Sequence, residues 1–110
     1  MENIIGRRVL VTGSQSMLGI QVMSLLATYK AIPYGVPHEI CDLMDERKTF
    51  EYFNAIKPDY IIHCAGFNGG IFYNEKYPSD IYNITTTIGS NVLNTAKKLN
   101  VDKVVSVATS

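Results

Sequence analysis

The chain has no tryptophan, only two cysteines and four prolines, and no excess of either charge. Each shortage excludes something. Ten basic residues balance ten acidic ones, and Lys and Arg cluster no further than the pairs Arg7-Arg8, Arg47-Lys48 and Lys97-Lys98. The electrostatic footprint of a nucleic-acid binder is therefore missing. Cys41 and Cys64 lie far apart and form no Cys-x-x-Cys, which fits a reducing cytoplasm better than a disulfide scaffold. No His/Cys/acid spacing supports a metal site. No apolar run approaches the ~18 residues of a membrane span. Arg7-Arg8 precede the apolar run Val9-Leu10-Val11, but Thr12-Gly13 break it too soon for a signal peptide. There is no internal repeat and no low-complexity linker. What remains is 110 residues, 46% hydrophobic and 18% charged, which is the composition of one globular domain.

The chain is organised around Val9-Leu10-Val11-Thr12-Gly13-Ser14-Gln15-Ser16-Met17-Leu18-Gly19. A short apolar run meets a glycine, crosses a polar turn and enters an apolar-periodic segment. That pattern predicts a buried strand, a tight turn and a helix N-terminus, a junction that presents free N–H groups to an anion. The non-alternating run over 8–12 predicts a strand buried on both faces. Ser16 is the expected N-cap of a helix with Leu18, Val22, Leu25, Leu26 and Tyr29 at helical spacing. Residues 31–36 predict a short or irregular second strand, crowded by Pro33, Gly35 and Pro37. Residues 45–57 predict a second helix, started by Asp45 and Glu46 and stopped by Pro58, with Phe50, Phe53 and Ile56 on one face. Residues 60–66 predict the next strand, and 67–77 a long loop. Ser79 or Asp80 is the expected cap of a long helix facing Ile81, Ile84, Ile88, Val92, Ala96 and Leu99 inward. Residues 103–108 predict the last strand.

The rhythm β-α-β-α-β-α-β implies a parallel sheet with helices on both faces, a three-layer α/β fold. In such sheets ligands bind beyond the carboxyl ends of the strands, where strand order reverses. Small or hydroxyl residues stand at three of the four ends: Thr12-Gly13, Cys64-Ala65-Gly66 and Ala108-Thr109-Ser110. Bulky side chains there would fill a cofactor's groove. A dinucleotide fold offers a carboxylate to the adenine ribose about 20 residues past the glycine turn. Glu39 and Asp42 are in range, with Glu39 expected to be a solvated loop acid. No Lys or Arg lies between Lys30 and Arg47, which leans toward NAD, since a 2′-phosphate is usually met by an arginine. His63 is expected to be a core histidine bonded to backbone, and Cys64 a small buried hydrophobe. Asn83 and Asn91 on the long helix either face solvent or bond to neighbouring backbone.

The segments Val9-Leu10-Val11-Thr12-Gly13 with Met17-Leu18-Gly19, Cys41-Asp42-Leu43-Met44-Asp45, His63-Cys64-Ala65-Gly66 and Ala108-Thr109-Ser110 resemble the extended short-chain dehydrogenase/reductases. These are the NAD-dependent epimerase/dehydratase family, which acts on nucleotide sugars. Within it, Gly69-Gly70-Ile71 followed by Asn74, Pro78, Asp80, Asn83, Asn91 and Val92 is similar to the GDP-L-fucose synthase group. The resemblance implies a Rossmann-like fold, residues 1–110 being the NAD(P)-binding, N-terminal portion of a doubly wound domain. It implies that Gly13, Gln15, Ser16, Met17, Leu18 and Gly19 hold the pyrophosphate. Asp42 and Leu43 would flank the adenine, and Ala65 and Gly66 would line the cofactor ribose. Asn68, Gly69 and Gly70 would face the substrate or nicotinamide. Thr109 falls at the family's catalytic Ser/Thr, with Ser110 beside it on the substrate.

Two departures stand out. Ser16 replaces the middle glycine of Gly-x-x-Gly-x-x-Gly, so its Cβ lies where backbone should approach pyrophosphate. No tyrosine of the chain is followed four positions later by lysine, so the family's acid–base pair Tyr-x-x-x-Lys is absent. The expectation is an N-terminal, cofactor-binding part of a longer NAD(P)(H)-dependent nucleotide-sugar epimerase/reductase, without turnover by itself. The group's use of NADPH pulls against the lean toward NAD. The alternative is a non-catalytic dinucleotide-binding module. If strand order follows the dinucleotide fold, the last strand lies beside the first as an open apolar edge. Homo-oligomerisation or poor solubility is then expected.

Overall fold

The computed structural model describes residues 4–37, 39–64 and 78–107, with residues 78–85 described by their backbone alone. The strands are β1 (Arg8–Thr12), β2 (Ile32–Gly35), β3 (Tyr60–His63) and β4 (Lys103–Ser106). The helices are α1 (Met17–Thr28), α2 (Glu46–Ile56) and α3 (Pro78–Lys98). All strand pairs are parallel, in the order β2-β1-β3-β4. This is the Rossmann-like α/β arrangement expected.

The last strand does not lie beside the first. β4 pairs with β3, and β3 takes the place next to β1. The sheet grows outward from β1 to β2, then the chain crosses back over β1 through α2 and grows the other way. Among the described residues no strand intervenes between β2 and α2, so the reversal comes one element earlier than expected. The topological switch point is therefore the gap between the carboxyl ends of β1 and β3.

Alternation along β1 splits the core in two. Val9 and Val11 pack with Leu26 of α1 and with Ile62 and Cys64, while Leu10 packs with Phe53 of α2, Ile61, and Val92 and Ala96 of α3. Thus α1 covers one face and the α2–α3 pair the other. Val9, Leu10, Val11, Phe53, Ile61 and Val92 are all fully buried, as a strand covered on both faces requires. Pro33 is tolerated because β2 is an edge strand.

The helix ends explain themselves locally. Asp45 caps α2, its carboxylate accepting from Lys48 N–H at 3.0 Å, and Lys57 ends it in the left-handed region before Pro58. α3 starts at Pro78, so Ser79 and Asp80 lie inside its first turn rather than capping it. Proline suits that position because its missing N–H has no intrahelical partner there. α1 carries no charged residue and is apolar nearly all round. Leu18, Val22 and Met23 pack inward with Leu26, but Leu25 and Tyr29 are 56% and 63% exposed, against expectation. A helix with apolar residues on every side gives no unique face by periodicity. β3 and β4 stop at His63 and Ser106, short of the expected 66 and 108. Residues 65, 66 and 108 lie outside the described ones.

Candidate functional site

The carboxyl end of β1 runs into a turn closed on itself. Gly13 takes φ +66°, a conformation that L side chains avoid. Its carbonyl accepts from the Ser16 N–H at 3.0 Å and from the Ser16 hydroxyl at 2.7 Å. The same hydroxyl accepts from the Gly19 N–H at 3.0 Å, making Ser16 the N-cap of α1 as predicted. Gly19 packs directly on Gly13. A Cβ there would overlap the Gly13 carbonyl oxygen and come within 2.8 Å of the Ser14 Cα. Only glycine fits.

The turn is also tied to β2. The Ser14 hydroxyl accepts from Val36 N–H at 3.1 Å, and a Cβ on Gly35 would come within 2.6 Å of that oxygen. Gly13 and Gly19 were legible as special positions. The bracing role of Ser14 was not, because a serine in a polar turn carries no distinguishing signal. Within the first turn of α1 the Gly19 amide is taken by Ser16, and the Ile20 amide donates to the Ser16 carbonyl. Among the described residues the Met17 and Leu18 amides have no acceptor. They point out of the helix end together with the positive end of its dipole, an arrangement that fits an anionic group. Gln15 is exposed beside them.

At the switch point the Thr12 hydroxyl and His63 Nδ1 are 2.7 Å apart, across adjacent strand ends. His63 is thus bonded to a side chain rather than to the expected backbone group. Burial pushes its pKa below the ordinary histidine value. Cys64 is buried next to it with its thiol pKa raised by burial, as a small hydrophobe should be. Among the described residues no group of three metal-ligating side chains comes together.

Asp42 is exposed, and its carboxylate accepts from the Met44 N–H at 2.9 Å. Leu43 is 9% exposed and belongs to the core beside Phe53, so its side chain is committed to packing. Its carbonyl accepts from Asn91 Nδ2 at 2.8 Å. Asn91 therefore holds the 41–44 loop against α3, which resolves the two readings of that residue. A buried asparagine beside an apolar helix stripe was the available signal. Glu39 is exposed and carries an interaction of its own. Ala65, Gly66, Asn68, Gly69, Gly70, Thr109 and Ser110 lie outside the described residues.

A family profile described as the NAD dependent epimerase/dehydratase family matches residues 9–110. The GDP-L-fucose synthase of Dictyostelium discoideum is 37% identical over 103 residues, covering 91% of this chain and 32% of that enzyme. The GDP-L-colitose synthase of Yersinia pseudotuberculosis is 30% identical over 106 residues, covering 94% of this chain and 33% of that enzyme. The chain thus spans about a third of the length of these curated relatives. Among solved structures, DdhaC superposes with a TM-score of 0.88 at 24% identity, over 96% of this chain and 30% of that one. A GDP-L-fucose synthetase from Naegleria fowleri bound to NADP superposes with a TM-score of 0.78 at 23% identity, over 96% of this chain and 34% of that one. At such identities the likeness is one of fold.

Proposed function

The chain belongs to the NAD-dependent epimerase/dehydratase family, and from that premise we propose that residues 1–110 form an NAD(P)-binding domain of a GDP-L-fucose synthase-like nucleotide-sugar epimerase/reductase. One observation carries the reading: the turn at the end of β1. Gly13 turns the chain at positive φ, Gly19 sits where a Cβ has no room, and among the described residues the Met17 and Leu18 amides at the helix end have no acceptor. The residues present fit a pyrophosphate. The neutral composition, the two free buried thiols and the absence of a long apolar helix among the described residues agree with a cytoplasmic enzyme.

In this reading a bound nicotinamide supplies hydride exchange with a sugar carbon. The chain's own residues bind and orient. Met17 and Leu18 donate to the pyrophosphate, backed by the α1 dipole, and exposed Gln15 borders it. Ser16 and Gly19 shape the turn. Asp42, exposed in the 41–44 loop, and Leu43 would flank the adenine. Ala65 and Gly66 leave room at the cofactor ribose. Asn68, Gly69, Gly70 and Ser110 border the substrate, and the Thr109 hydroxyl donates to its reacting oxygen. The relatives solved with NADP support that cofactor, while the lack of Lys or Arg between residues 30 and 47 supports NAD.

With Tyr-x-x-x-Lys absent, we expect this chain to bind without turning over. Calorimetric titration with NAD+, NADH, NADP+ and NADPH tests the binding, and reduction of a GDP-4-keto sugar by the purified chain would contradict the second half. A non-catalytic dinucleotide-binding module is the second reading, and one specific observation favours it: the Ser16 hydroxyl is engaged with the Gly13 carbonyl and the Gly19 amide and so is not free to donate to a phosphate. A reading frame continuing past Ser110 into Tyr-x-x-x-Lys decides for the enzyme.

A further inference from the structure

The switch point is bounded by two adjacent strand ends. One leads from Thr12 into the Gly13 turn, and the other from His63 toward residues 65–77. The Cys64 N–H reaches the Thr12 carbonyl at 3.2 Å, and the Val107 N–H reaches the His63 carbonyl at 3.0 Å one strand further out. The contact between the Thr12 hydroxyl and His63 Nδ1, at 2.7 Å, is the shorter link. Thr12 is fully buried and immediately precedes the left-handed Gly13. Any shift of Thr12 is therefore passed to the turn.

We propose that Thr12 and His63 form a side-chain latch that fixes the separation of the β1 and β3 ends and so sets the conformation of the Gly13 turn for its ligand. His63 is a positioning residue in this role. The proposal rests on the dinucleotide-binding reading for its functional consequence, but the latch itself is a property of the free protein. The imidazole is well suited. It is rigid, it reaches across one strand spacing, and either neutral tautomer can bond the hydroxyl, which both donates and accepts. Burial disfavours the charged ring, so the latch works as a neutral hydrogen bond in a partly dry site, where such a bond is strongest. Thr12 on β1 and Ser106 on β4 stand at the register positions matching His63, and Cys64 belongs to the core cluster on the opposite face of the sheet. No charged group among the described residues perturbs the ring; only burial does.

The test compares Thr12→Val and His63→Leu with Thr12→Ser and His63→Asn. Serine keeps the hydroxyl, and asparagine keeps a polar group at the position of Nδ1. Amide NMR of the free chain reads the turn, and calorimetry with NAD+ and NADP+ reads its consequence. The latch predicts that Thr12→Val and His63→Leu shift the Gly13 amide alike, that Thr12→Ser and His63→Asn restore it, and that the double variant adds nothing. Affinity falls by about five- to tenfold in each single apolar variant and returns to within about twofold in the conservative ones. An unmoved Gly13 amide in both apolar variants, or additive losses of affinity, would overturn the latch. If the amides shift as expected while even the wild-type chain binds neither dinucleotide, the latch stands and the dinucleotide reading fails.

Discussion

At the residue scale, Ser16 decides how the turn meets a phosphate. Its hydroxyl proton is committed to the Gly13 carbonyl and its lone pair to the Gly19 amide, so it is not free to donate to a ligand. Ser16→Ala removes the cap and is expected to cost about 1 kcal/mol in unfolding free energy, whereas Ser16→Gly costs only a few tenths. Ser16→Gly also clears the Cβ and frees the Gly19 amide, so it should bind dinucleotide more tightly than the wild type; calorimetry showing weaker binding would contradict the engaged-hydroxyl reading. His63 supplies a pH dependence whose sign is fixed by burial. Its folded pKa lies below the ordinary value of about 6.5. Above that value both folded and unfolded chains are neutral at this site and pH has no leverage through it. As pH falls through the ordinary value the unfolded chain takes up its proton first, so stability drops until the folded pKa is reached. The melting temperature should therefore fall further between pH 7 and pH 5 in the wild type than in His63→Asn, and equal falls would contradict it. The sequence made Gly13, Ser16 and Gly19 legible because their types are special. It did not show that Thr12 and His63 meet, because that pairing depends on the register of two strands 51 positions apart.

At the element scale, helix and strand existence followed from punctuation and periodicity. Pro58 after Ile56 and Asp45 before Glu46 bound α2 within a residue of the expected limits. α1 shows where periodicity fails. Its uncharged, apolar sequence left Leu25 and Tyr29 indistinguishable from the inward-facing Val22 and Leu26. α2 is anchored by Phe53, fully buried between the sheet and α3. Phe53→Ala should cost about 3–5 kcal/mol by chemical denaturation, enough to unfold a marginal domain; a loss below about 1 kcal/mol would show that Phe53 is not the core of that layer. The helix ends offer the opposite effect. Lys30, Lys57 and Asn100 all follow their helices at positive φ, between 53° and 65°, without glycine. Lys57→Gly removes the Cβ clash of the left-handed region and should stabilise the chain by about 0.5–1 kcal/mol, read as a raised denaturation midpoint. An unchanged or lowered midpoint would contradict the strain.

At the scale of the whole molecule, parallel pairing and two-sided burial were legible, but strand order was not. The alternation of elements is the same whether β3 or β4 neighbours β1, and only the absence of a strand between β2 and α2 among the described residues moves the reversal forward. That reversal puts the Gly13 turn and the Thr12–His63 pair together at one crevice. It also leaves Lys103–Ser106 at the edge of the described sheet, with Val104 and Val105 half-buried. The chain as given is expected to self-associate with rising concentration in light scattering, and a monodisperse monomer throughout would remove that expectation. The central claim is that the Gly13–Gly19 turn binds a nicotinamide dinucleotide through its pyrophosphate. Titration of the 110-residue chain with NAD+ and NADP+, followed by amide NMR, tests it most directly. Saturable shifts centred on the Met17 and Leu18 amides, abolished by Gly19→Val in a chain that still folds, are predicted. No saturable shift with either dinucleotide, or shifts confined to residues away from this turn, would contradict it.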